Sequence, residues 1–123
     1  MTHEEVHTLL LRRIRAWRDE DLDAIMADYA DDIVHVSPYG TRVGVAAIRA
    51  ADARYLAEYT GFDVQLHRIV VEGDQGALEW TWTETRRADG LRRSADDAIV
   101  FVLRDDGKIA YWREYFDPTA RVP

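Results

Sequence analysis

The 123-residue chain contains no cysteine, which excludes a disulfide framework and any thiolate-ligated metal site. It also lacks an excess of positive charge. Sixteen basic against 23 acidic side chains leave a net charge of −7, and nucleic-acid binding draws much of its affinity from phosphate neutralisation, so nucleic acid is not expected as a partner. Basic residues do cluster, at Arg12, Arg13 and Arg15 and at Arg86, Arg87, Arg92 and Arg93; these read as solvated faces. Long apolar runs are missing too. Stretches such as Ala98 to Leu103 are far short of a membrane-spanning helix, and Thr2, His3, Glu4 and Glu5 do not have the basic-then-apolar order of a signal peptide. No membrane partner is expected, and a cytoplasmic location is the default. Without repeats, low-complexity tracts or linkers, residues 1–123 are expected to form one domain around one core.

What is present reads as helices first and strands afterwards. Thr2 and Glu5 have the spacing of a capping box, which satisfies free amides at a helix start. Val6, Leu10, Ile14 and Trp17 follow at helical spacing, with Arg12, Arg13 and Arg15 assigned to other faces. Asp19-Glu20-Asp21 interrupts that helix and opens a short second one, whose apolar stripe is Leu22, Ile25, Met26 and Tyr29. Ile33 to Ser37 reads as a strand entering a turn at Pro38 and Gly40. A third helix is expected from about Val45 to Tyr59, with Gly61 as its C-terminal stop. Four strands follow, at Phe62 to Glu72, Ala77 to Arg87, Arg92 to Leu103 and Lys108 to Phe116. Asp89-Gly90 and Asp106-Gly107 supply hairpin turns. The fold class predicted is α+β, a long curved antiparallel sheet closed into a cone by the N-terminal helices, with a ligand on its concave face. The outward face carries Glu79, Thr81 and Thr83 and is expected to join two copies into a homodimer.

Tyr29-Ala30-Asp31-Asp32, Pro38-x-Gly40, Gly44 before a helix, and Gly107-Lys108-Ile109 running to Trp112-Arg113-Glu114-Tyr115-Phe116-Asp117 together resemble the SnoaL-like branch of the nuclear transport factor 2-like superfamily. The resemblance covers nearly the whole chain. It implies the cone fold and a pocket for a small organic molecule, and leaves the reaction open, because isomerases, cyclases, hydrolases, dehydratases and non-catalytic binders share that fold. Ketosteroid isomerase places its carboxylate base where this chain has Ser37, and its two oxyanion donors where it has Ile14 and Ile99. Limonene epoxide hydrolase ends on an aspartate that matches Glu114. Its Arg-x-Asp pair falls, by alignment without gaps, on Trp80 and Trp82. On that alignment Glu114 has no acid across from it, and a limonene-type epoxide is expected to stay intact. The polyketide cyclases use an acidic base, for which Glu114 and Asp97 are available.

Glu114, Asp97 and His35 are accordingly the candidate catalytic residues. Glu114 shares a strand face with Ala110, Trp112 and Phe116, where desolvation would raise its pKa and suit it to proton transfer; pairing with Arg113, Arg86 or Arg68 is the plainer alternative. Asp97 shares a face with Ile99 and Phe101, and a solvated strand end is its alternative. His35 lies on one face with Ser37, as a proton shuttle or simply a hydrogen-bonded strand histidine. Trp80, Trp82, Trp112, Phe101, Phe116, Ser37, Tyr55, Tyr59 and Met26 are the candidate substrate-binding residues, although aromatic residues at period two are also ordinary core. No His/Asp/Glu spacing suggests a metal, and acid–base chemistry of this kind needs no cofactor. The function expected is a small-molecule cyclase, isomerase, dehydratase or hydrolase. A non-catalytic binder with the same pocket is the alternative.

Overall fold

The computed structural model describes residues 1–119. Helix α1 (His3–Arg18) starts at the expected capping box: the Thr2 hydroxyl accepts from the Glu5 amide at 3.1 Å, and the Glu5 carboxylate accepts from the Thr2 amide at 3.1 Å. Helix α2 (Leu22–Ala27) is capped by Asp21, whose carboxylate accepts from the Ala24 amide at 3.1 Å. Strand β1 (Tyr29–Ser37) begins four residues earlier than expected and turns through Pro38 into a short strand β2 (Gly40–Val43), where the sequence predicts only a turn. Helix α3 (Val45–Glu58) follows.

The remaining strands are β3 (Tyr59–Glu72), β4 (Gln75–Arg86), β5 (Arg92–Leu103) and β6 (Ile109–Tyr115). Gly61 is not the stop of α3. The chain passes straight from Tyr59 into β3, and Gly61, at φ +61°, sits where the β3–β4 register shifts between Thr60 and Asp63; an extra residue in a ladder needs that backbone freedom. Strands β3 to β6 form the expected antiparallel meander. The six-stranded sheet is nevertheless mixed, in the order β2-β1-β6-β5-β4-β3, because β1 returns to pair parallel with β6.

Inner and outer faces alternate cleanly along β5, where Ala95, Asp97, Ile99, Phe101 and Leu103 are buried and the residues between them largely exposed. The inner face packs on α1 through Val6, Leu10, Ile14 and Trp17, and Ile48 of α3 joins the same core. The outer face carries cross-strand polar pairs, Thr81 with Asp96 at 2.8 Å and Thr83 with Ser94 at 2.8 Å. Near one end of the sheet the core admits no side chain at Gly76. A Cβ there would lie 2.6 Å from Phe101 Cζ and closer still to the Val70 carbonyl oxygen. Gly76→Ala is therefore expected to lower stability by about 1–3 kcal/mol through overpacking, seen as a lower urea midpoint at unchanged slope; an unchanged midpoint would mean that Phe101 has room to move.

Candidate active site

Between the concave face and the helices lies a cavity of about 160 Å³. Its floor comes from adjacent strands: Trp80 and Trp82 from β4, Asp97 from β5, Trp112 and Glu114 from β6, and His35 and Ser37 from β1. Register explains the convergence. Trp80 is directly opposite Asp97, Ile99 opposite Glu114, and His35 opposite Trp112, so residues two apart on these strands share one face. Tyr55 of α3 and Phe116 beyond β6 complete the aromatic wall.

Asp97 and Glu114 meet. Their carboxyl groups are hydrogen-bonded, and Glu114 is pushed well above the usual carboxylate range, first by burial and then by the charge of Asp97. Two adjacent carboxylates out of water cannot both ionise, so the pair holds one proton. Asp97 is 7% exposed and also accepts from Trp80 Nε1 at 3.3 Å; it is not a solvated strand end. Glu114 pairs with none of Arg113, Arg86 and Arg68: Arg113 lies over the Tyr115 ring, Arg86 pairs with Asp89 and Arg68 with Glu79. The expectation that Glu114 lacks an acid across from it fails, because the acid is Asp97 of β5 and not a residue of β4.

His35 Nε2 is 3.7 Å from Glu114 Oε2. Burial, helped by Arg13 and Arg42, lowers the imidazole from 6.5 to about 4, so the ring is neutral near pH 7 and this contact is no ion pair. The gap is too wide for a direct hydrogen bond and suits a bridging water or substrate oxygen.

Three of the expected wall residues lie elsewhere. Phe101 is buried under Trp112 in the sheet core, with ring centroids 6.2 Å apart. Met26 is buried among the α2 contacts of that core. Tyr59 turns its hydroxyl to Arg93 at 2.7 Å. Ile14 and Ile99, at the positions of the isomerase donors, are buried core.

The sequence reading missed Arg13, which is 2% exposed and belongs to the cavity wall. It donates to Tyr29 Oη at 2.7 Å and to the Ile25 carbonyl at 3.2 Å, and its guanidinium lies over the Tyr29 and Trp112 rings at 4.6 and 5.0 Å. Its spacing held the signal: position 13 is three after Leu10 and four before Trp17, inside a stripe as wide as a core-facing helix buries. Asp52 and Arg42 also line the cavity. A separate buried network was missed as well. Glu84, 0% exposed, accepts from the Tyr55 hydroxyl, from Trp82 Nε1 at 3.2 Å and from Arg93 Nε at 3.0 Å. Arg93 is thus no solvated side chain, and Glu84 continues the inward parity of Trp80 and Trp82.

A curved sheet with helices over its concave face, enclosing an aromatic cavity with acidic groups, defines a cone-shaped small-molecule domain. The chain belongs to the SnoaL-like domain family, whose model matches residues 10–112. It is 32% identical over 104 residues to the epoxide hydrolase EphG of Mycobacterium tuberculosis, covering 85% of this chain and 68% of that protein. Among solved structures, an LEH-like epoxide hydrolase of M. tuberculosis superposes with a TM-score of 0.79 at 27% identity, over 93% of this chain and 84% of the other. A hypothetical protein of Catenulispora acidiphila with a ketosteroid isomerase-like fold, solved with trimethylamine, superposes with a TM-score of 0.82 at 20% identity, over 98% of this chain and 90% of the other; at that identity the likeness is one of fold.

The neutral state of His35 has a measurable consequence. Its pKa falls from 6.5 unfolded to about 4 folded, so only the unfolded chain binds a proton there between those values. The His35 contribution to stability is complete above pH 6.5 and is lost as pH falls toward 4. Asp52, raised from 3.8 to about 6, has the opposite sign, its contribution being present at low pH and lost as pH rises through 6. The stability advantage of the wild type over His35→Gln is expected to shrink by about 3 kcal/mol between pH 7 and pH 4, measured by urea unfolding. A constant difference would mean that the imidazole titrates normally.

Proposed function

We propose that the protein is a hydrolase that adds water to a small, mainly apolar epoxide by general acid–base catalysis on the Asp97–Glu114 pair. The observation that carries this reading is the pair itself: two hydrogen-bonded carboxyl groups sharing one proton in an aromatic cavity. Several polar groups converging on one cavity favour an enzyme over a passive binder. The relatives named as epoxide hydrolases support water as the second reactant. A cavity of about 160 Å³ is small beside the roughly 300–1,000 Å³ of pockets for drug-sized ligands, which favours a monocyclic substrate over a steroid. With Ser37, Ile14 and Ile99 at the isomerase positions, ketosteroid isomerisation is not expected.

In the reaction, the shared proton moves across the hydrogen bond to Asp97 and leaves Glu114 as the base. A water between Glu114 Oε2 and His35 Nε2 gives its proton to Glu114 and forms a bond to a ring carbon. The carbon–oxygen bond of the epoxide breaks, and the ring oxygen takes the proton of Asp97 to give a diol. Glu114 is then protonated and Asp97 ionised, and return of the proton across their hydrogen bond readies the next cycle. Burial serves this chemistry, since a carboxylate made more basic is the better proton acceptor near neutral pH. The reading includes a cytoplasmic homodimer joined through the outer face around Thr81 and Thr83; sedimentation at the 14.2 kDa monomer mass would remove the dimer.

Purified protein is expected to convert a small epoxide such as styrene oxide to its diol, with ¹⁸O from labelled water in the product. Glu114→Gln and Asp97→Asn should each lower kcat by about a hundredfold or more while the fold persists by circular dichroism. Full activity in either variant, or no diol from a panel of small epoxides, would overturn the reading.

A further inference from the structure

Besides Arg13, which is held by Tyr29 and the Ile25 carbonyl, two charged residues of the cavity wall take no part in this reaction: Asp52 on α3 and Arg42 on β2. Their positions in the fold aim both inward. Arg42 is the cross-strand partner of His35 and leaves the sheet on the same face. Asp52 lies one turn after the buried Ile48 and one turn before Tyr55, on the core-facing side of α3. Both are half-buried; burial disfavours the charge of Asp52, and Arg13 and Arg42 offset that only in part, through their charges. A buried carboxylate held by distant counter-charges alone leaves hydrogen-bonding capacity for a guest, and the cavity is what both residues face.

The charges of the wall also limit the guest. Near neutral pH, Arg13 and Arg42 supply two positive charges; ionised Asp52 and the proton-sharing Asp97–Glu114 pair supply two negative ones; His35 is neutral. An anion or a cation would unbalance a small low-dielectric space where charges are weakly screened. A neutral hydroxyl would not, and it can donate to Asp52 while accepting from Arg42.

We propose that Asp52 and Arg42 form a recognition subsite for a neutral hydroxyl group, so that the substrate is a small uncharged amphiphile with its apolar end against Trp80 and Trp112. The subsite names the substrate class for the proposed hydrolase and rests on that reading for which end reacts. Binding can be read without turnover, because all four tryptophans of the chain, Trp17, Trp80, Trp82 and Trp112, line the cavity and their emission reports its occupancy.

The probes are four unreactive ligands of matched size: ethylbenzene, 2-phenylethanol, phenylacetate and phenethylammonium, titrated into the intact protein at pH 7.5. The alcohol is expected to bind about tenfold more tightly than ethylbenzene, as two modest hydrogen bonds allow, and more tightly than either ion. Asp52→Asn should shift the preference between the ions toward phenylacetate, and Arg42→Gln toward phenethylammonium. The proposal is overturned if the alcohol has no advantage over ethylbenzene, if either ion binds more tightly than the alcohol, if none of the four binds, or if folded variants keep the wild-type ion preference. Should a variant fail to fold, the wild-type series decides alone. Epoxide turnover without the alcohol preference overturns the subsite and leaves the hydrolase reading; the preference without turnover does the reverse.

Discussion

Holding two carboxyl groups in contact under an aromatic cover is the most demanding arrangement in this molecule. Burial alone disfavours charge on Glu114, and Asp97 beside it disfavours charge further. Arg13 answers that demand from the first helix, and its own burial then needs satisfying. Tyr29 Oη and the Ile25 carbonyl accept its hydrogen bonds, while the Tyr29 and Trp112 rings cover its faces. Asp28, held by Arg12 at 2.7 Å, stands 3.6 Å away. The positions of α1, α2, β1 and β6 are thereby tied to one cation. Removing one member of a buried network of this kind is costly, because it leaves the remaining charge without compensation.

The tryptophans serve the same arrangement in another way. Trp80 directs its N–H to Asp97, and Trp82 directs its N–H to Glu84 and to Tyr55 Oη at 3.0 Å. With their polar edges tied back, what remains toward the cavity is ring surface. Glu84 and Arg93 anchor that end of the wall. Rings fixed by hydrogen bonds keep their shape when the cavity is empty, which lowers the ordering cost of binding.

Features set by neighbouring residues were legible in the sequence. The Thr2–Glu5 cap, the break between α1 and α2 at Asp19–Asp21, the Asp-Gly hairpins and the period-two strand β5 follow from local chemistry, and the structure has them. Features set by distant pairing were not. Nothing local says that β1 runs parallel to β6, and Gly61 offers the same backbone freedom to a helix stop as to a strand irregularity. The family resemblance placed Glu114 in a catalytic position, but its partner came from the strand next door, which an alignment within one strand could not find. Arg13 and Arg93 share one explanation. Charge argues for solvent and periodicity for the core, and periodicity prevails because each of these charges has a partner inside.

The parallel pairing of β1 with β6 also sets the order of events during synthesis. His35 and its neighbour Trp112 are separated by most of the chain, and β6 leaves the ribosome after every other strand. Until it arrives, β1 has only the four residues of β2 to pair with, and β5 has one open side. The helices and the β3–β5 meander can form early from local contacts, whereas the cavity floor waits for the final strand. The same strand carries Glu114, so the half-made domain has neither a closed core nor the Asp97–Glu114 pair. Completion of the fold and assembly of the carboxyl pair therefore fall on one late step.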